Sequence, residues 1–255
     1  LCEIFMKKYV SGIRPTGKIH LGNYLGAIKQ WKDLDGLFFV ADMHGLHTKE
    51  EVELSLKSLY SCGINAVLQS GFGVEHLRLY ADLLHYATIG QLSRMTQYKD
   101  KIKKENETAA LLTYPVLMAA DIFFNKGTHV PVGSDQVQHI ELARDLYDKL
   151  PDTPFPKPVS VIGNCPRIMS LTDATKKMSK SDKNDMSRIN ICDSKDLIKK
   201  KIMAAKTSAN LTDNTPEISN LMSIYFALGG KLFHTKCKEF KEELIWLLIE
   251  ELKSN

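Results

Sequence analysis

The chain has 255 residues, 44% hydrophobic, 25% charged and 8% aromatic, and 34 Lys and Arg against 30 Asp and Glu leave a formal charge of +4. This excludes disordered, collagen-like and coiled-coil classes, and the length is ample to bury a core in one large domain or two smaller ones. The longest apolar-looking stretch, 111–124, contains Thr113, Pro115 and Asp121, so no membrane helix is expected. No segment near the N-terminus has the order of a signal peptide. Five cysteines (Cys2, Cys62, Cys165, Cys192, Cys237) form no CxxC pair, which fits a reducing compartment better than a disulfide scaffold or zinc knot. The expectation is an intracellular, soluble protein without a membrane partner.

In chain order, 7–13 reads as a strand entering the turn Arg14-Pro15-Thr16-Gly17. Leu21, Leu25, Ile28 and Trp31 then fall at helical spacing. The run 37–41 is continuously apolar, the pattern of a parallel strand covered on both faces. Thr48 followed by Glu51 is a capping box, predicted to open a helix reaching about Gln69. A short strand at 128–132 precedes a helix over 136–150 with Ile140, Ala143 and Leu146 inward. Such alternation predicts an α/β fold with a mostly parallel sheet. After about Ser187 only helices are expected. The division reads as an α/β domain over 6–186 and a smaller all-helical domain over 187–255.

Charge is uneven along the chain. Residues 167–206 hold eleven Lys or Arg against five Asp or Glu, a net of +6 that leaves −2 for the remainder, and 94–104 holds five bases and one acid. Local positive potential attracts phosphates, although solvated helix faces also explain such runs.

Three segments could carry chemistry. Gly12-Ile13-Arg14-Pro15-Thr16-Gly17-Lys18-Ile19 has P-loop spacing, but Ile19 lacks the hydroxyl that a P-loop places on magnesium, and Pro15 removes a backbone donor. His20-Leu21-Gly22-Asn23 opens a helix directly after a strand and turn, where backbone N–H groups favour anions and Gly22 lets a flat base approach the main chain. Lys176-Lys177-Met178-Ser179-Lys180-Ser181 offers ammonium and hydroxyl groups suited to a polyphosphate. Singly, each is as well explained by packing or by an exposed loop.

Together, the 20–23 and 177–181 segments resemble the paired signatures of class I aminoacyl-tRNA synthetases. Ser11 to Gly17, Asn23-Tyr24-Leu25-Gly26-Ala27, Tyr114-Pro115-Val116-Leu117-Met118-Ala119-Ala120-Asp121-Ile122 and Val130-Pro131-Val132-Gly133-Ser134-Asp135-Gln136 narrow the resemblance to the bacterial or organellar tryptophanyl-tRNA synthetase family, from about Tyr9 to Lys206. The resemblance implies a ligase that forms tryptophanyl-adenylate and pyrophosphate from L-tryptophan and ATP, then transfers the tryptophanyl group to the terminal adenosine of tRNA(Trp). It implies that Arg14, Pro15, Thr16, His20, Gly22 and Asn23 line the ATP site, that Gly133, Ser134 and Asp135 meet the ribose, and that Ile168 meets adenine. Lys177, Met178, Ser179, Lys180 and Ser181 would close over the phosphates, with Lys101 as a further phosphate contact beside the adjacent candidates Lys99 and Lys103. Lys177, Lys180, Lys101 and Asn23 would be the catalytic set, without a protein nucleophile.

An indole offers a single donor N–H, so its pocket needs apolar walls and one placed acceptor. By the resemblance Asp121 is that acceptor, Met118 packs on the ring, Tyr114 and Gln136 hold the α-amino end, and His44 lines the pocket. His44 and His47 lack a third ligand at suitable spacing, so no tightly bound protein metal is expected; Mg2+ would arrive with ATP. The resemblance also implies a homodimer, a Rossmann-like nucleotide-binding catalytic domain over 6–186 and a tRNA-binding helical domain over 187–255 that is incomplete at its C-terminus; the expected compartment is the cytoplasm, with an organelle matrix as the alternative. The chain is shorter than family members, with shortfalls near 31–36, 69–75, 161–167 and the C-terminus, so the sequence is expected to join ordered segments, with Gln69-Ser70-Gly71-Phe72-Gly73 an arbitrary junction. The stretch before Met6 has no counterpart. A tyrosyl-tRNA synthetase is the near rival. A non-catalytic RNA-binding relative would have degraded one of the two signatures, and a nucleotidyltransferase would not explain 114–122 or 130–136.

Overall fold

The structure, a computed structural model, describes residues 6–15, 17–103, 106–133, 136–162, 167–180, 182–208, 211–231 and 236–253. Two compact units interleave along the chain: residues 1–15, 33–52 and 65–163 form one, and residues 16–32, 53–64 and 164–255 the other.

The first unit is built on a five-stranded parallel sheet: β1 (Tyr9–Ile13), β2 (Gly36–Val40), β3 (Ala66–Leu68), β4 (His129–Val132) and β5 (Val159–Ile162), in the order β3-β2-β1-β4-β5. The expected Rossmann-like sheet is therefore present. β1 pairs with β2 in register from Tyr9↔Gly36 to Ile13↔Val40, and only a glycine fits at position 12, where an added Cβ would lie 2.5 Å from the Phe39 ring. Pro131 has no N–H for the ladder, and the Ser11 hydroxyl donates to its carbonyl at 2.9 Å. Strand order reverses at β1, and ligands of such sheets bind beyond the carboxyl ends of the strands at that point.

Helices cover this sheet's own unit. The Ala109–Phe124 helix, capped by Thr108 Oγ1 accepting from Leu111 N–H at 3.1 Å, is the most apolar. It buries Val116, Ala119, Ala120, Ile122 and Phe123 in one cluster with Leu83 of the Val74–Leu84 helix and Ile140, Ala143 and Leu146 of the Val137–Tyr147 helix. The three inward positions expected on the last of these are thus confirmed.

One sequence expectation needs correction. The helix opened by Thr48 and Glu51 (Glu51 N–H to Thr48 Oγ1, 3.2 Å) ends at Ser61, eight residues short of Gln69. Gly63 stops it: with φ +74°, its N–H bonds Tyr60 O at 2.9 Å and Ile64 N–H bonds Leu59 O at 3.0 Å, a left-handed helix end. The freed residues Ala66–Leu68 become β3. The segment Gln69–Phe72 is a 3₁₀ turn in which Gln69 is fully buried. β5 was also unforeseen.

In the second unit, the helix over 21–31 contains a π-helical turn at Tyr24–Ile28; Leu21, Leu25, Ile28 and Trp31 are buried as the spacing predicted, and so is Tyr24. The helices Lys195–Ala204, Pro216–Ala227 and Cys237–Lys253 follow, the second capped by Thr215 with Pro216 in its first turn. Buried Lys241 donates to Met203 O at 3.1 Å and Ala205 O at 2.7 Å, taking up carbonyls at the end of the first of them. No helix among the described residues is long and apolar enough to cross a membrane.

Candidate active site

Site residues of the first unit sit where a parallel sheet puts them. Arg14 and Pro15 follow β1, His44 follows β2, Gln69 follows β3 and Gly133 follows β4. Facing roles come from the Ala109–Phe124 helix, on which Tyr114, Met118 and Asp121 recur at spacings of four and three and therefore share one face.

Asp121 is 2% exposed, and its carboxylate is nearly filled by donors. Oδ1 accepts from Gln69 Nε2 at 2.7 Å and from His76 Nε2 at 2.8 Å, and Oδ2 lies 2.9 Å from His44 Nε2. Each oxygen has about two acceptor sites, so one remains, on Oδ2. Gln69 cannot flip its amide without loss, because its Oε1 accepts from Met43 N–H at 3.0 Å. His76 is fully buried against Phe72 and Phe124, with ring centroids 5.3 and 5.6 Å away, and its Nδ1 has no hydrogen-bond partner among the described residues. An N–H on Nε2 accounts for the contact to Asp121 Oδ1.

A second chain of contacts joins the residues expected at the amino end of a substrate. Tyr114 Oη lies 2.9 Å from His139 Nε2, and His139 Nδ1 lies 2.6 Å from Gln136 Oε1. His44 and Tyr114 pack edge to face at 6.4 Å, so Tyr114, Asp121 and His44 come together as expected. Met118 is partly buried beside them on the helix face. Lys101 Nζ stands 4.1 Å from the centre of the Tyr114 ring, while Lys103 pairs with Asp100 at 3.7 Å. Of the three lysine candidates, geometry places Lys101 with the pocket residues.

In the second unit, His20 caps the helix start: its Nδ1 accepts from Asn23 N–H at 3.3 Å and Asn23 Oδ1 accepts from His20 N–H at 3.4 Å. Burial, then the positive charges of Lys180, Arg188 and Lys177, push the imidazole down to about 4, so it stays the neutral acceptor this cap requires. A Cβ on Gly22 would sit 3.1 Å from the His20 ring and 3.7 Å from Ile168 Cβ, so Gly22 keeps main chain open beside Ile168. Met178 and Ile168 are both 2% exposed, with Met178 N–H bonded to Ile168 O at 3.1 Å. Met178 thus anchors its segment from below while Lys177 is exposed and Ser179 and Lys180 are half-buried. Lys180 Nζ reaches Gly17 O at 3.5 Å, a loose contact. Thr16, Ser134, Asp135 and Ser181 lie outside the described residues.

Sequence reading missed Gln69, His76 and His139. A signal existed: Gln69 ends an apolar strand at its carboxyl end, and His76 and His139 are polar positions on otherwise inward helix faces.

The model of the class I tRNA synthetases for tryptophan and tyrosine (W and Y) matches residues 6–245. The chain belongs to that family. It is a class I aminoacyl-tRNA synthetase, a ligase by reaction class, with the fold that the sheet already displayed. A tryptophan–tRNA ligase from Agrobacterium fabrum is 41% identical over 270 residues, covering 87% of this chain and 76% of the relative. Among solved structures, the tryptophanyl-tRNA synthetase of Mycoplasma pneumoniae has a TM-score of 0.81 at 31% identity, covering 97% of this chain and 86% of that one. The synthetase from Campylobacter jejuni, solved with ADP and tryptophan, has a TM-score of 0.76 at 30% identity over 96% and 86%.

Proposed function

We propose that this synthetase charges tRNA(Trp) with L-tryptophan. In the first step the tryptophan carboxylate oxygen bonds to the α-phosphorus of ATP as the bond to the pyrophosphate oxygen breaks. In the second, the ribose hydroxyl of the terminal adenosine takes the acyl group and AMP leaves. Catalysis is then positioning and charge stabilisation, with no acyl-enzyme.

Asp121 carries the choice of tryptophan. Its remaining acceptor site suits an indole N–H, and the donors around it already point at it. A tyrosine hydroxyl, which also accepts, finds those donors engaged. Met118 packs on the ring, and Tyr114 and Gln136, braced by His139, receive the α-ammonium. Arg14, Pro15, Thr16, His20, Gly22, Asn23 and Ile168 bind ATP, Gly133, Ser134 and Asp135 its ribose, and Lys101, Lys177, Ser179, Lys180 and Ser181 its phosphates. The 177–180 segment offers ammonium and hydroxyl groups rather than carboxylates, a donor set for phosphates, so Mg2+ is taken to travel on the nucleotide. Residues 6–186 carry these roles and the helices of 187–255 receive tRNA, in a homodimer working in the cytoplasm or an organelle matrix.

Thermal unfolding with saturating tryptophan or tyrosine tests the specificity, since a ligand of the folded state raises the midpoint in proportion to its binding free energy. A larger rise with tryptophan is expected, and a larger rise with tyrosine overturns the assignment.

A further inference from the structure

Lys201 is wholly buried, with its ammonium 2.6 Å from Asp193 Oδ2 and 2.7 Å from Asp185 Oδ2. Buried ammonium is costly unless paired, so these two carboxylates fix it. Both acids hold Asn190: its N–H bonds Asp193 Oδ2 at 2.9 Å, and its Nδ2 lies 3.2 Å from Asp193 Oδ1 and from Asp185 Oδ1. Arg188 closes the cluster, with Nη2 3.0 Å from Asp185 Oδ1 and Nε 3.3 Å from Asn190 Oδ1. Two cations and two carboxylates thus balance around a wholly buried Lys201 and a buried Asp193, with Asp185 half-exposed at the edge.

Both signature segments abut this cluster. Leu21 N–H bonds Ile189 O at 2.8 Å and Ile191 N–H bonds Ile19 O at 3.0 Å, so the strand-like 189–191 segment flanks His20 on both sides. Arg188 Nη1 donates to Asp182 O at 2.7 Å, and Asp182 is the residue directly after Ser181. One guanidinium therefore ties the exit of the 177–181 segment to the frame that carries the His20 turn.

We propose that Arg188 and Lys201 are positioning residues for adenylate formation, joined through Asp185, Asp193 and Asn190 into an ionic frame that holds the His20–Asn23 turn and the lysine segment in fixed relation. This rests on the synthetase reading above for its activity readout. Neither residue needs to touch substrate. Misplacing a phosphate-binding ammonium by a fraction of its reach slows a reaction that depends on orientation.

Arg188→Lys keeps the charge, but one ammonium cannot serve Asp182 O, Asp185 and Asn190 together. Two readouts are combined: tryptophan-dependent ATP–pyrophosphate exchange, and amide hydrogen exchange at Leu21 and Ile191. The expected result is a kcat lower by about 10- to 100-fold, a tryptophan KM within about twofold, and faster exchange at both amides. In a Lys180→Ala background the same change should cost less than about twofold, because the group being positioned is gone. Unchanged amide protection, or the same loss of kcat in both backgrounds, overturns the proposal. Should Arg188→Lys not fold, Asp185→Asn removes the same arm at a half-exposed carboxylate while the Lys201–Asp193 pair stays, and the same pattern is expected. A wild-type protein without exchange activity refutes the synthetase reading instead, and the two amides still report on the frame.

Discussion

His76 Nε2 stands 2.8 Å from Asp121 Oδ1, with the two side chains 1% and 2% exposed. With Gln69 Nε2 on the same oxygen and His44 on the other, the carboxylate is held at a fixed angle before any ligand arrives. Preorganisation of this kind removes part of the ordering cost of binding.

Asp121→Ala should therefore do two things. It removes the acceptor for the indole, which should weaken tryptophan binding by about 100-fold while leaving ATP binding within about twofold. It also strands three donors in a buried space, lowering stability by about 2–4 kcal/mol. Calorimetric titration with each ligand and a urea melt separate the effects, and unchanged tryptophan affinity in a folded variant removes Asp121 from the pocket.

His76→Leu is the subtler probe. The residue braces Asp121 without being assigned to the indole, so tryptophan affinity should fall about 5- to 10-fold with ATP affinity unaltered. Equal losses for both ligands would mean a general loosening of the unit.

How much of this was legible beforehand follows from residue spacing. Tyr114, Met118 and Asp121 share a helical face, and 37–41 is apolar on both faces, so the strand, the helix and the pocket wall could be read locally. β3 could not, because its identity depends on a left-handed Gly63 ending the helix early, and Leu68 is then only three residues into a strand that pairing with β2 stabilises. The Asp121 partners were hidden for the same reason: Gln69 and His76 reach it from 52 and 45 residues away, distances that no periodicity reports. His20 and the lysine segment were recognisable as motifs, while the buried Lys201 looked like one more base in a Lys-rich run.

The neutral His20 sets a pH dependence. Its pKa is about 4 in the folded protein and 6.5 in the unfolded chain, so between those values the unfolded state binds more protons. Stability should accordingly fall as pH drops from 6.5 toward 4, by about 3 kcal/mol from this group, and level off below. His20→Asn keeps a capping acceptor but does not titrate, so urea melts at pH 5 and pH 7 should differ less for the variant than for the wild type. An equal difference would assign the pH dependence to other groups.

Lys180 Nζ lies 3.5 Å from Gly17 O, and a phosphate whose charge grows as pyrophosphate leaves attracts such an ammonium more strongly in the transition state than in the ground state. Lys180→Ala should reduce kcat for exchange by about 100-fold and ATP affinity by less than about fivefold. Comparable losses in both would make it a ground-state anchor.

Gly12→Ala probes the sheet beneath the site. The new Cβ would meet the Phe39 ring at 2.5 Å, and overpacking of this kind should cost about 1–3 kcal/mol in a thermal or denaturant melt. No loss of stability would show that Phe39 moves aside freely.

Amino-acid-dependent ATP–pyrophosphate exchange, run with tryptophan and tyrosine side by side, tests the function most directly. Exchange with tryptophan alone is expected, because Asp121 offers an acceptor within a shell of donors already turned toward it. Exchange with tyrosine alone would keep the fold and the adenylate chemistry and contradict the assignment of the pocket.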